Sequence, residues 1–348
     1  MRAFVPTCVC HKEFPMLSAS ADIDAMTDDA APFPSPAKTA SVCVIIPTFR
    51  RPEGLARAVN SVLAQTGLSG YRVSLLVCDN SPEGSAYTTF DSLKGRADLS
   101  LRYIHEPNTG LANARNAAVA AARGTDFIAF LDDDEEARPD WLAELLKAQK
   151  ALNADVVFGP VDARLPQSVK RNADYFTHFF SRFGPAETQV LKSFYGCGNS
   201  LLRGCIVAVD QPFDVGHNQM GGEDDMLFSR LLVEGATLAW SAQARVYEDV
   251  PVARARLRYT LRRGFAFGQG PSQAAAANKQ WIECAYWMVR GLAQGALLTL
   301  PALALWVIRH EKAAFMLDKA ARGWGKFVWF PPFKLHFYGA SMLKKKPA

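Results

Sequence analysis

No glycine-rich phosphate loop follows the first apolar run of this chain. Neither G-x-G-x-x-G nor G-x-x-x-x-G-K-[ST] stands there, which leaves a dinucleotide fold of that type and a P-loop without support. Cysteine is sparse: the seven residues lie singly apart from Cys8 and Cys10, a usage that suits reduced thiols in a cytoplasmic compartment better than a disulfide frame. The Cys8, Cys10 and His11 group lacks a second ligand pair at zinc spacing. The apolar run before Met16 is too short for the core of a signal peptide. Residues 1–38 have little apolar periodicity and read as a disordered extension, with Met16 and Met26 as alternative starts. An EF-hand is excluded as well, since a calcium loop begun at Asp132 needs Gly where Ala137 stands and Glu where Ala143 stands.

What is present is enough apolar residue, 49% of 348, to bury one large domain or two small ones. Charge is divided unevenly. From Pro251 onward 16 Lys and Arg face 3 Asp and Glu, a net of +13, whereas the preceding 250 residues carry 23 against 31, a net of −8. That acidic part, with no recognised nucleic-acid motif anywhere, argues against a nucleic-acid partner.

Five consecutive acids, Asp132 to Glu136, close the apolar run 127–131, which suits a strand buried on both faces. Like charges gathered at one point repel unless solvent or a cation screens them. An exposed loop, or the first turn of the helix that Pro139 and Trp141 begin, is one account of them. A Mg²⁺ or Mn²⁺ site is the other, because these ions take oxygen ligands and couple one or two carboxylates to substrate phosphates. The metal is favoured: a buried strand delivers its acids to the carboxyl edge of a sheet, where α/β proteins bind ligands.

Residues 42–46, 73–78 and 101–105 read as strands, ending respectively at Pro47-Thr48-Phe49-Arg50-Arg51-Pro52, at Asp79-Asn80-Ser81-Pro82 and at Glu106-Pro107-Asn108. Residues 53–65, 110–123 and 141–152 read as helices. The alternation predicts an α/β fold, a mostly parallel sheet flanked by helices, with Pro47, Asp79 and Asp132 converging at one edge. A further strand is expected over 155–158. Residues 163–192 read as irregular, their aromatics Tyr175, Phe176, Phe179, Phe180 and Phe183 forming either an acceptor-side loop or a satellite apolar cluster. Tyr195 to Ser200 reads as a tight loop entering a strand, where glycine permits close approach to a ligand.

Gly221-Gly222-Glu223-Asp224-Asp225 precede a helical run to Val233. Acids there complement unpaired N–H groups. Three behind a glycine pair exceed that need, and they point to a carboxylate general base for a hydroxyl nucleophile.

These pieces together resemble family 2 glycosyltransferases of the GT-A fold. The resemblance rests on Val44-Ile45-Ile46-Pro47-Thr48-Phe49-Arg50-Arg51, Val77-Cys78-Asp79-Asn80-Ser81, Gly110 with Ala114-Arg115-Asn116-Ala117, Phe130-Leu131-Asp132-Asp133-Asp134 and Gly222-Glu223-Asp224, in order over residues 41–250. Arg51-Pro52-Glu53, Leu131 to Glu135 and Gly221 to Asp224 look like the glucosyltransferases of succinoglycan-type exopolysaccharides. The resemblance implies Pro47, Thr48 and Arg50 beside the nucleotide base, Asp79 accepting from it, and Arg115 and Asn116 holding the nucleotide. Asp132 lies near the ribose and shares a divalent metal (Mg²⁺ or Mn²⁺) with Asp134, and Asp133 is grouped with the donor-binding residues. Asp224 is the general base, Glu223 orients the acceptor, and the anomeric centre inverts. Two departures stand out: Tyr247-Glu248-Asp249 where the family often has a metal-binding His, so that Glu248 or Asp249 substitutes, and Met226 where a second Asp is usual.

Residues 256–348 follow the catalytic segment 39–255 as a basic, apolar region. Arg254, Arg256, Arg258, Arg262 and Arg263 suit a solvated face or, functionally, a diphosphate contact at Arg262 or Arg263 with the rest against an anionic membrane surface. Residues 291–308 are 18 uncharged residues, at the lower limit for a span and interrupted by Pro301. A true span would put its basic flanks, Arg290 on one end and Arg309, His310 and Lys312 on the other, on opposite sides, against the positive-inside tendency; the Lys344-Lys345-Lys346 group follows a later aromatic segment. A re-entrant or interfacial helical tail on the cytoplasmic leaflet of the bacterial inner membrane is therefore expected, suited to a polyprenyl-diphosphate-linked acceptor, with a buried soluble hairpin as the alternative. Two rivals predict different observables: a noncatalytic nucleotide-sugar or glycan-binding scaffold predicts binding without turnover, and an Asp-nucleophile phosphatase predicts a phosphoaspartate at Asp132.

Overall fold

The computed structural model describes residues 39–94, 99–218, 221–333 and 335. The expected extension over 1–38, with Cys8, Cys10 and His11, and the Lys344-Lys345-Lys346 flank lie outside the described residues. In chain order the elements are β1 (Ala40–Thr48), α1 (Pro52–Leu63), β2 (Tyr71–Asp79), α2 (Tyr87–Leu93), β3 (Ser100–His105), α3 (Leu111–Ala121), β4 (Phe127–Phe130), β5 (Glu135–Ala137), α4 (Trp141–Leu152), β6 (Val156–Phe158), β7 (Val161–Arg164), α5 (Ala173–Phe180), β8 (Gln189–Val190), β9 (Ser200–Arg203), α6 (Glu223–Val233), β10 (Leu238–Trp240), β11 (Val246–Asp249), α7 (Leu257–Ala277), α8 (Trp281–Val307) and α9 (Ala313–Phe327).

The main sheet runs β3-β2-β1-β4-β9-β6-β10-β8. Its first four strands are parallel, and the register Thr48↔Asp79 brings two expected site residues side by side. Alternation along β1 sends Val42, Val44 and Ile46 to one face, where α1 covers them with Leu55, Ala58, Val59 and Val62. Cys43 and Ile45 face the other side, against Ala114, Ala118 and Val119 of α3. Strands covered on both faces read as unbroken apolar runs, which is why the sequence disclosed them. β9 departs from the parallel pattern, pairing antiparallel with both β4 and β6. Its chain direction carries loop 195–199 back to the edge where β4 ends.

A second sheet, β5-β11-β7, stands beside that edge. Here the structure corrects the reading of Glu135 and Glu136 as a helix's first turn. Glu135 donates its N–H to the Asp132 carbonyl (3.0 Å), and the chain then pairs antiparallel with β11, Glu135 opposite Glu248. The reading of 163–192 as irregular is corrected too, since α5 lies within it. Its Tyr175 and Phe176 form a separate apolar cluster with Ala314, flanked by Phe179, Phe180, Leu257 and Phe315. Of the two roles open for these aromatics, the satellite cluster is the one observed, and it fastens the tail to the catalytic segment. Tyr175 meets Phe315 edge to face at 5.3 Å, and the Arg171 guanidinium lies 4.1 Å from the Trp306 ring centre.

The tail is a three-helix hairpin packed around α9. Gly323 of α9 lies against the backbone of Gly291 and Gly295 of α8, where an added Cβ would come 2.6 Å from the Gly295 nitrogen. Such small-residue crossings let helices approach closely, as they do in membrane bundles. The opposite face of α8 is apolar and open: Ile282 is 90% exposed, Leu300 75% and Val307 79%. At 27 residues α8 extends beyond the uncharged stretch, and it is the one described helix long and apolar enough to cross a membrane.

Candidate active site

The run Asp132 to Glu136 is sorted residue by residue. Asp133 turns back toward β1, where its carboxylate accepts from Thr48 Oγ1 (2.9 Å), the Phe49 N–H (3.3 Å) and Arg51 Nη1 (2.9 Å). Burial pushes its acid up to about 6 against the pull of Arg51. Asp134 accepts from the same Arg51 nitrogen at 2.6 Å and has Arg254 at 3.9 Å. Glu135 is buried, accepts the Asp132 N–H (3.0 Å), and is held well above the usual carboxylate range by burial and then by the charge of Asp132. Glu136 pairs with Arg164 at 2.5 Å. Asp132 remains half open to the cleft, raised by burial and opposed by Arg115.

Gly222, with a φ of +90° that suits glycine, precedes α6 and leads into its first turn beside this cluster. Glu223 is buried and accepts from Arg115 Nη1 at 2.6 Å. The same guanidinium, 3% exposed, lies 3.8 Å from Asp132 through Nη2, so one cation joins both acid runs. Asp224 is half-buried and accepts the Cys197 N–H through Oδ2 (3.0 Å); Asp225 is exposed. Loop 196–198 forms the wall between the runs. A Cβ on Gly198 would overlap the Asp132 carboxylate, and one on Gly196 would lie 3.3 Å from Asp224 Oδ2.

Glu248 of β11 completes the acidic rim: burial, then Asp134, push it up to about 7, with Arg254 opposing. Among the described residues no three His, Cys, Asp or Glu side chains are grouped closely enough to hold a metal ion as they stand. The donor chemistry nevertheless fits a hard divalent cation, since Asp132, Asp134 and Glu248 are oxygen ligands whose mutual repulsion such an ion would relieve.

Residues 43–205 match the family model described as Glycosyl transferase family 2. The chain is 32% identical over 254 residues to the succinoglycan biosynthesis protein ExoM of Rhizobium meliloti (strain 1021), covering 72% of this chain and 80% of that protein. The chain belongs to glycosyl transferase family 2. A second relative of this glycosyltransferase, the succinoglycan biosynthesis protein ExoW of the same organism, is 34% identical over 127 residues, 35% of this chain and 38% of that one. The crystal structure of GalNAc-T7 with UDP, GalNAc and Mn²⁺ shares the fold, with a TM-score of 0.50 and 16% identity over 69% of this chain and 52% of that one.

Several residues expected at the donor have protein partners in this glycosyltransferase. Asp79 is fully buried; Oδ1 accepts from the Ser81 N–H and hydroxyl, and Oδ2 from the Ala86 N–H (2.6 Å) and the Tyr103 hydroxyl (3.0 Å). These four bonds let it shape the loop after β2. Asn116 exchanges two hydrogen bonds with the Phe213 backbone (2.8 and 2.9 Å), which clamp the 213 loop. Arg115 and Glu223 are occupied with each other, and Asp133 with β1's loop. Pro47 and Thr48 end β1 in the core, while Arg50 stands half exposed above them, paired with Glu83 at 2.6 Å. Arg51, Arg182 and Arg254 went unassigned as site residues in the sequence. An arginine gives no local signal of which distant acid it meets, although three of them beside an acidic cluster is what burial of that cluster requires.

Proposed function

We propose that this enzyme transfers a sugar, with inversion, from a nucleotide-sugar donor to a hydroxyl of a growing, polyprenyl-diphosphate-linked glycan in bacterial exopolysaccharide or surface-glycan synthesis. A UDP-sugar is the expected donor. The observation that carries this reading is Asp224 facing Asp132 across loop 196–198, a candidate base opposite a candidate donor acid.

Asp224 is held by the Cys197 N–H through one oxygen and by the Asp225 N–H through the other, at 3.0 Å each. Those bonds fix its direction and leave lone pairs for the acceptor hydroxyl's proton. As that oxygen attacks the anomeric carbon on one face, the nucleoside diphosphate departs from the other, and a single displacement inverts the centre. Asp132, Asp134 and Glu248 would hold a divalent cation, which when bound supplies positive charge for the leaving diphosphate. Pro47, Thr48 and Arg50 line the base side, with Asp79 and Asn116 stiffening it from behind.

The open face of α8, about 40 Å long at 1.5 Å per residue, supports membrane association at the cytoplasmic face, with the basic tail toward anionic lipid. That would bring the cleft to a lipid-linked acceptor.

Thermal unfolding with a panel of nucleotide sugars, with and without Mn²⁺, tests the donor. A true donor at a hundredfold over its Kd adds about 2.7 kcal/mol of stability. If no nucleotide sugar raises the midpoint under either condition, the reading fails. For the membrane, sedimentation with anionic vesicles should retain the wild type and lose L297K/L300K.

A further inference from the structure

Arg182 carries no part of the reading above, yet it reaches the centre of the site. It follows α5 and is mounted on the edge of β7 by two backbone bonds: its N–H donates to Val161 O at 2.8 Å and its carbonyl accepts from Val161 N at 3.2 Å. A third bond, from the Ala163 N–H to Ser181 Oγ at 3.0 Å, fixes the preceding residue. From this mount the half-buried side chain crosses to loop 196–198, where Nη1 donates to the Gly198 carbonyl. Its Nη2 lies 3.2 Å from the point a Gly196 Cβ would occupy, and Asp224 Oδ2 lies 3.3 Å from that same point. The guanidinium and the candidate base therefore flank one notch, left open because residue 196 has no side chain.

A guanidinium has five N–H donors, and among the described residues this one gives a single side-chain bond to protein, to a neutral carbonyl. No carboxylate is within ion-pair distance of it among the described residues, unlike Arg51 and Arg115, although its field still lowers Asp132 and Glu135 against their burial. A preorganised, half-buried cation with unused donors in a fork suits an anion with several oxygens, and a phosphate above others.

We propose that Arg182 is a substrate-binding residue whose free N–H groups, presented at the Gly196 notch beside Asp224, bind a diphosphate. This rests on the glycosyltransferase reading, and the chemistry has two sources: the diphosphate of the nucleotide donor and that of a lipid-linked acceptor. The two are separable with the full chain.

Calorimetric titration of wild type, R182K and R182Q with UDP, GDP, dTDP and CDP in the presence of Mn²⁺ reads the donor source, and titration with farnesyl diphosphate reads the acceptor source. The expected result is at least a tenfold weaker Kd for R182Q with one of the two probe classes, R182K lying between. Which class weakens assigns the source. The matched nucleoside, lacking phosphate, should bind all three proteins alike; its loss in R182Q together with the diphosphate would mean a deformed pocket and overturn the assignment. Unchanged affinity of R182Q for both classes overturns it as well. A wild type that binds a diphosphate but transfers no sugar removes the proposed function and leaves this site standing. A wild type that binds neither class removes both.

Discussion

After β4 five acids follow one another along a turn that becomes a strand, and at the start of α6 three follow one another along a helix. In the strand, neighbouring side chains leave on opposite faces, so Glu135 is buried beneath Asp132 while Glu136 meets Arg164 outside. On the helix, successive side chains are rotated by about 100°, so Glu223 enters the core, Asp225 faces solvent and Asp224 lies between them along loop 196–198. Both runs satisfy some acids with arginine and leave others facing the cleft. Charge density in the sequence located each acid cluster; backbone geometry decides which carboxylate faces the cleft.

The largest effect that sharpens this contrast lies within α6. D224N should lower sugar transfer by about 10²–10⁴-fold, the range for loss of a general base, whereas D225N, on the exposed neighbour, should leave it nearly unchanged. Transfer rates under saturating donor check both. Equal losses in the two variants would mean that the helix does not discriminate between them as the geometry requires.

The second break concerns what ties the runs together. Arg115 touches Glu223 at 2.6 Å and Asp132 at 3.8 Å while almost wholly enclosed. R115M strips a buried carboxylate of its cation, and such losses cost about 3–5 kcal/mol. The midpoint of urea unfolding should fall accordingly, and R115M/E223Q should recover much of it because the two changes share one interaction. Equal midpoints for the single and double variants would show that the pair is not the link.

Much of this arrangement is legible in the sequence, and the parts that are not have a common cause. The parallel strands announce themselves as apolar runs, and α4 begins and ends where its periodicity does, Trp141 to Leu152. β5 did not, because Glu135 and Glu136 are poor strand formers and their partner β11 lies more than a hundred residues on. α5 has eight residues, too few for a periodic signal, and its support comes from Phe315 and Phe267 of the tail. Asp79 and Asn116 carry family motifs, yet their partners are Ser81, Ala86 and Tyr103 for the one and the Phe213 backbone for the other, which no spacing reveals.

Gly198 tests the wall between the runs at smaller cost. Its missing Cβ is what lets the loop lie against the Asp132 carboxylate and Glu135, so G198A forces one of them aside. Overpacking of this kind costs about 1–3 kcal/mol. It should also weaken donor binding, since the displaced group is the donor acid, which calorimetric Kd values for the donor check; G196A, meeting only side-chain ends at 3.2 and 3.3 Å, should cost less stability, which urea unfolding checks.

The smallest expected effect is a slope. Glu248 rises from 4.5 to about 7, chiefly through burial and the nearby Asp134. Between those values the native state holds a proton that the unfolded chain has released. Stability from this group is thus complete below pH 4.5 and declines as pH rises toward 7, by at most about 1.36 kcal/mol per pH unit for one proton. In the presence of a chelator, E248Q should remove that decline, while the contribution of Glu135, common to both proteins, cancels in the difference. Adding Mn²⁺ should flatten the wild-type curve, because a bound cation favours the ionised carboxylate. Parallel wild-type and E248Q curves across pH 4.5–7 would place Glu248 outside the acidic rim, leaving Asp132 and Asp134 as the only carboxylates in this rim available to a metal.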